Sequence, residues 1–468
     1  MTCTVAHPTS QLPSPEATAR NMSQRTNCRG LVGALHHNPD MSRRNRQKRA
    51  AKHKERRRTS SQQGRWNTEP EYDRAALLNQ LTAKLYHRAM CTDHDENAHA
   101  AELFDECRSA HDLDLAADGA ITGAISKAWQ AGWSPNDLHE FARRHLDASA
   151  AGYLAEAIVL ESRHYAVTTL HPRWRAELAA LSTGGAPVPP LMSDWADRRA
   201  VDRLAALTLV LKILRLLATL PILEPLLPLP GAHQHSAAVV NAADAKALSR
   251  VRGLLAKAEA TKFPEEAEAL SAKAQELMSR YSLHHAVREH ERGRSAEAVA
   301  RRMWIDSPYV MAKSALVQAV ATANRSHTVC SEKLGFVVVI GVDCDLEFVE
   351  LLATSLLVQA NRAMLAAGRG TRGGQTRTRS FRQSFLLSYA NRIGERLTTA
   401  STTVATEMER GALLPVLAAR SQATEELSNR LFPATVPREM TASNGAGWSA
   451  GRIAADLAQL DVRRPIAG

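Results

Sequence analysis

The chain has 468 residues and a formal net charge of +11; 44% of its residues are hydrophobic, but only 5% are aromatic. That length predicts roughly two or three domains, and that composition predicts a core of Ala, Leu and Val, the usual filling of packed helices. A disulfide scaffold is excluded. Cys3, Cys28, Cys91, Cys107, Cys330 and Cys344 are irregularly spaced and form no C-x-x-C pair, which fits a reducing cytoplasm.

Residues 1–40 are polar, carry no hydrophobic period and contain no apolar signal-peptide core. Met41 directly precedes a basic run, so translation is expected to start there. Arg43, Arg44, Arg46, Lys48, Arg49, Lys52, Lys54, Arg56, Arg57 and Arg58 face one acid, Glu55, so residues 43–58 hold +9 of the net +11. The chain is a nearly neutral body with a basic tail. Like charges with nothing apolar to bury predict disorder over 1–68.

Helical spacing begins near Glu69, with Leu77, Leu78, Leu81 and Leu85 on one face. Further helices are expected at about 98–116, 119–131 and 150–181. Another starts with Ser134 as N-cap and Pro135 at the first helical position. S-T-G-G-A-P-V-P-P at 182–190 signals a linker. A helix over about 194–219 follows, inside the most apolar stretch, 204–223. Lys212, Arg215 and Pro221 interrupt that stretch, so it predicts an amphipathic helix rather than a membrane span. Pro221, Pro225, Pro228 and Pro230 force an extended connection.

Over 243–283, Leu248, Val251, Leu254, Leu255 and Ala258 share one helical face. Ala267, Leu270, Ala274, Leu277, Met278 and Tyr281 line a second. Phe263-Pro264-Glu265-Glu266 between them restarts a helix, so an antiparallel hairpin is expected. Two helices cannot bury their apolar faces alone, so the hairpin must dock on something. Phe336-Val337-Val338-Val339-Ile340 predicts a buried strand, with a second near 328–332. Helices are expected at about 344–366 and 381–410. The predicted fold is mainly α: a basic, disordered stretch over 1–68, a helical domain over 69–181, a linker with a helix and Pro-rich connection over 182–240, a hairpin over 241–290 and a small α+β domain over 301–460.

Leu254-Leu255-Ala256-Lys257-Ala258, Thr261, Glu266-Ala267, Lys273-Ala274, Leu277-Met278 and Tyr281 carry a resemblance. Residues 248–283 resemble domain of unknown function family 2786, although Ser249-Arg250-Val251 departs from its more basic, Ile-containing start. The segment behind the hairpin looks like the companion region that often follows it. The resemblance implies a helical fold element and a bacterial or phage context, and no activity. The hairpin's Lys, Glu and Gln residues predict solvated faces with i,i+4 pairs; the alternative is a partner-facing surface.

Several apparent motifs lack the context their chemistry needs. Gly447-Trp448-Ser449-Ala450-Gly451 matches G-x-S-x-G, but a nucleophile elbow needs a preceding strand and a later histidine, and the last histidine is His327. A helix start capped by Ser449 or Asn444, with small residues allowing close packing, is expected. Gly368-Arg369-Gly370-Thr371-Arg372-Gly373 follows a helix, where a dinucleotide loop would follow a strand. His87-x3-Cys91 and Cys107-x3-His111 would suit zinc only if brought together. Asp343, Asp345 and Glu347 stand where carboxylates hold Mg²⁺ in other proteins, or where acids answer a helix dipole. Gly132-Trp133-Ser134 imitates a helix-turn-helix turn only weakly. Phe381, Phe385, Leu386, Tyr389, Ile393 and Leu397 form a helical stripe expected in the core.

No residue is assigned a catalytic, cofactor-binding or metal-binding role. The leading expectation is a non-enzymatic or accessory protein that contacts nucleic acid non-specifically through the tail, with Arg369, Arg372, Arg377 and Arg379 as further phosphate contacts. A metal-dependent enzyme and a helical scaffold for a protein partner are the alternatives. No membrane partner is expected.

Overall fold

The computed structural model describes residues 2–6, 69–92, 95–182, 186–233, 242–261, 264–293, 297–367, 378–407 and 410–457. The protein is mainly α-helical, with one small five-stranded sheet. It divides into two compact units: residues 8–124 with 187–218, and residues 1–7 with 125–186 and 219–468.

The smaller unit draws on α1 (Glu69–Ala89), α2 (Glu96–Glu106), the first part of α3 (Ala110–Gln130), α7 (Leu191–Arg199) and α8 (Arg203–Ala218). A single helix was expected over 98–116, but the chain breaks at Cys107–Ser109. There the Ser109 hydroxyl accepts from Asp112 N at 3.2 Å, so a local capping bond competes with helix continuation. α7 and α8 are likewise separate, because Ala200 turns left-handed at φ 52°. α8 corrects a second expectation. Ala206 to Leu211, Ile213, Leu214, Leu216 and Leu217 are buried, so the helix is apolar nearly all round and forms the centre of its unit rather than an amphipathic surface. Arg215 donates to Ala89 O at 2.8 Å and Cys91 O at 3.0 Å, closing the end of α1, and pairs with Glu96 at 2.7 Å.

In the larger unit, α4 (Pro135–His145) begins as predicted, with Ser134 accepting from Asp137 N. The helix expected over 150–181 is three pieces: α5 (Ala148–Ser162), a 3-10 turn at Val167–Thr169, and α6 (Pro172–Leu181), which Pro172 restarts. The hairpin is α9 (Ala242–Ala260) and α10 (Pro264–Glu291).

The sheet consists of β1 (Thr2–Ala6), β2 (Ala298–Trp304), β3 (His327–Ser331), β4 (Phe336–Val342) and β5 (Thr435–Glu439), in the order β2-β4-β3-β1-β5. Only β1 and β3 run parallel. Three of these strands were not anticipated, and β1 lies upstream of Met41, in a stretch without visible period. Thr2-Cys3-Thr4-Val5-Ala6 is rich in β-branched residues, but five residues are too short to declare a strand. β4 alternates as a strand with both faces covered. Val337 and Val339 face a core built with α11 (Val310–Ala323), α12 (Asp343–Ala367), α13 (Arg379–Glu407), α15 (Gly445–Leu457) and the hairpin. Phe336, Val338 and Ile340 face Leu427 of α14 (Arg410–Leu431), together with Leu223 and Leu226. The stripe Phe381, Phe385, Leu386, Tyr389, Ile393 and Leu397 is buried in the first of these cores, as expected. No described helix is long and apolar enough to cross a membrane.

Candidate functional site

The hairpin docks through a face the sequence disguises. Beside its apolar stripe, α10 carries Gln275, Ser279, Ser282 and His285 at helical spacing. The first three are buried outright. Gln275 Nε2 donates to Asn324 Oδ1 at 3.2 Å and to Ser401 Oγ of α13 at 3.1 Å. Two turns on, two guanidinium groups converge on Ser282. Arg325 Nη2 donates to its hydroxyl at 3.0 Å, and Arg420 Nη1 donates to its carbonyl at 3.3 Å.

Arg420 then reaches His285 and Asp345. Its Nη2 lies 3.0 Å from His285 Nδ1, and its Nη1 lies 3.6 Å from Asp345 Oδ2. A guanidinium has only donors, so Nδ1 of His285 accepts and that nitrogen carries no proton. Cys344 Sγ stands 3.8 Å from the same nitrogen. Burial raises the Cys344 thiol well above its ordinary pKa, and the neighbouring Asp345 carboxylate pushes it further. A catalytic cysteine needs the opposite shift. The Cys-His-Asp grouping is therefore a polar lock among α10, α12, α14 and the turn before β3, not an activated nucleophile. Burial and the adjacent Arg420 also lower the pKa of the Arg325 guanidinium.

A second polar knot joins α4 to β2. Arg302 and Asp137 pair at 2.7 Å with both side chains buried, and Trp304 Nε1 donates to the other Asp137 oxygen at 2.8 Å. Arg302 also donates to Gly132 O at 3.0 Å. Gly132 has φ +83°, and a Cβ there would sit 2.1 Å from Leu223 O, so only glycine fits. The helix-turn-helix imitation thus has its turn and the start of its second helix occupied by internal contacts. The adjoining cleft is lined by Trp129, Trp133, Trp174, Glu177, Asp137 and Arg302. Burial, followed by the charge of Asp137, raises the Glu177 carboxyl pKa.

Arg43, Arg44, Arg46, Lys48, Arg49, Lys52, Lys54, Arg56, Arg57 and Arg58 lie outside the described residues, as do Arg369, Arg372 and Arg377 and the whole Gly368–Gly373 stretch. Arg379 is described: it is exposed on the first turn of α13. The three acids behind β4 diverge. Asp343 pairs with Arg301, Asp345 faces Arg420, and Glu347 has a pKa raised by burial. Cys91 Sγ donates to His87 O at 3.4 Å, and Cys107 Sγ donates to Ser109 O at 3.2 Å. Among the described residues, no group of three or more His, Cys, Asp or Glu side chains is placed to hold a metal ion.

The G-x-S-x-G match is a packing device. Asn444 Oδ1 accepts from Gly447 N at 2.8 Å and caps α15. A Cβ on Gly447 or Gly451 would meet Phe381 O at 2.4 Å or Phe385 O at 2.2 Å. Of the hairpin's polar residues expected on solvated faces, Lys273 and Arg280 do pair with Glu276, at 2.8 and 3.1 Å, but Gln275 is buried against Asn324 and Ser401.

Residues 246–285 match a family described as protein of unknown function (DUF2786). The matched stretch closes at His285, in the polar lock, and stops short of the companion region expected over 301–460. No curated protein and no solved structure matches the chain.

Proposed function

We propose that this chain is a non-enzymatic or accessory protein that contacts nucleic acid, without sequence preference, through the basic segment 43–58. The observation that carries the reading is charge placement: ten Lys and Arg against one Glu in that segment, with a body holding only +2 of the net +11. Lys and Arg so concentrated neutralise successive phosphates and release counterions, giving affinity that depends on salt rather than on base sequence. The exposed Arg379 continues the basic series Arg369, Arg372 and Arg377. The polar lock lends the enzymatic alternative no support, since burial and Asp345 raise the Cys344 pKa where a nucleophile needs it lowered. Of the acids behind β4, Asp343 and Asp345 face arginines and Glu347 is half-buried.

The test is binding of the whole chain to mixed-sequence DNA and RNA across a salt series, beside a variant with the ten tail cations changed to Gln. Truncation is the poorer choice because it also removes β1. The natural chain should lose about a thousandfold in affinity or more between 50 and 200 mM salt, and the variant should lose most of that slope. Equal binding by the two, or none by either, refutes the tail as the phosphate anchor.

A further inference from the structure

We propose that Trp448, with Arg452 one turn along its own helix and Arg379 and Arg382 on the first turns of the helix it packs against, is a stacking platform that gives this protein a preference for single-stranded over double-stranded nucleic acid. This inference rests on the nucleic-acid reading and adds a second site to it. Trp129, Trp133, Trp174 and Trp195 are at most 3% exposed, whereas Trp448 is 36% exposed. Arg452 stands one turn from Trp448 on the same helix. The glycine contacts of Gly447 and Gly451 with the backbone at Phe381 and Phe385 clamp α15 against α13. Asn444 N donates to Ser384 Oγ at 3.1 Å, which sets the start of α15 beside the first turns of α13. Those turns carry Arg379 and Arg382, which pair with no carboxylate among the described residues. Arg452 keeps only a 3.5 Å contact with Glu395.

An exposed indole on a clamped helix, near guanidinium groups, suits an unstacked base with its phosphates. Every base offers a π-face, so stacking is sequence-tolerant, while a base inside a duplex has no free face. The surface therefore calls for a single-stranded polyanion rather than an acidic protein, whose carboxylates would use the arginines but leave the indole idle.

The whole chain is titrated with a single-stranded oligonucleotide and with its duplex, beside W448A, W448F, a R379Q/R382Q double variant and the tail-neutralised variant. W448A should weaken single-strand binding about tenfold, leave duplex binding and the salt slope unchanged, and be largely rescued in W448F. R379Q/R382Q should lower the salt slope. An oligonucleotide carrying 5-iodouracil should crosslink at Trp448. Unchanged single-strand affinity in W448A with crosslinks elsewhere overturns the platform while leaving the tail reading intact. Loss of strand preference in W448A with no effect of tail neutralisation overturns the tail and keeps the platform. Binding of neither nucleic acid overturns both.

Discussion

α13 receives two helices by opposite physics. α10 meets it through buried hydrogen bonds, Gln275 to Ser401, set within an apolar face. α15 meets it with no side chain at all at two positions, where Gly447 and Gly451 lie against carbonyl oxygens. The first interface is specified by polar partners, each of which costs free energy if left unmatched. The second is specified at those two positions by volume, because any Cβ at either glycine collides with backbone that cannot swing aside, with polar contacts such as Arg392 to Asp456 and Arg396 to Ala455 O toward its far end. A polar residue on a helix is therefore no sign of a wet surface here, and a glycine-serine motif is no sign of a nucleophile.

The contrast can be broken at several points. Arg420→Met removes the cation that faces buried Asp345 and donates to His285. The loss should be the largest, about 3–5 kcal/mol, because a buried charge is left behind; urea unfolding measures it. Gly451→Ala should cost about 1–3 kcal/mol. Its signature is local: hydrogen exchange should rise in 445–457 before the hairpin opens, and exchange that stays uniform would contradict the volume argument. Gln275→Leu conserves bulk but strands the Asn324 and Ser401 groups, for about 1–2 kcal/mol. Adding Ser401→Ala should recover part of that loss, and strict additivity of the two would deny the bond any coupling.

The smallest expected effect has the opposite sign and lies in the smaller unit. Burial pushes the Asp118 carboxyl up to about 6, although it accepts from Leu191 N at 2.8 Å. A raised carboxyl pKa means that the folded state binds the proton more tightly than the unfolded one. Its contribution is therefore fully present below about pH 4 and is lost as pH rises through about 6. Asp118→Asn should keep the cap, flatten that slope and stabilise the protein at pH 7 by about 1 kcal/mol after allowance for partial exposure. A variant whose stability retains the parent's pH dependence between 4 and 6 would show that Asp118 does not titrate in this way.

Much of the larger unit was legible. The β4 run, the hairpin stripes, the Ser134 cap and the Phe381–Leu397 core stripe all announce themselves by period or by capping chemistry. The rejection of G-x-S-x-G was legible from the missing later histidine alone, because β5 does precede the motif where a loop was expected. Other features were not. The polar lock is assembled from Ser282 and His285, Arg325, Cys344 and Asp345, and Arg420, which are separated by up to 138 residues. Each looks like a solvated residue in its own window. β1 and β5 are single five-residue strands whose only signal is pairing with each other and with β3.

By itself the sequence determined the class, the hairpin, the β4 strand and the concentration of charge in 43–58, because each is a short-range property of period or composition. Only the tertiary structure decided that α10 buries a polar face, that α8 is enclosed nearly all round, and that two glycines bring α15 against α13. Those outcomes depend on which partner removes water from which face. That choice belongs to long-range packing, which no local window of sequence contains.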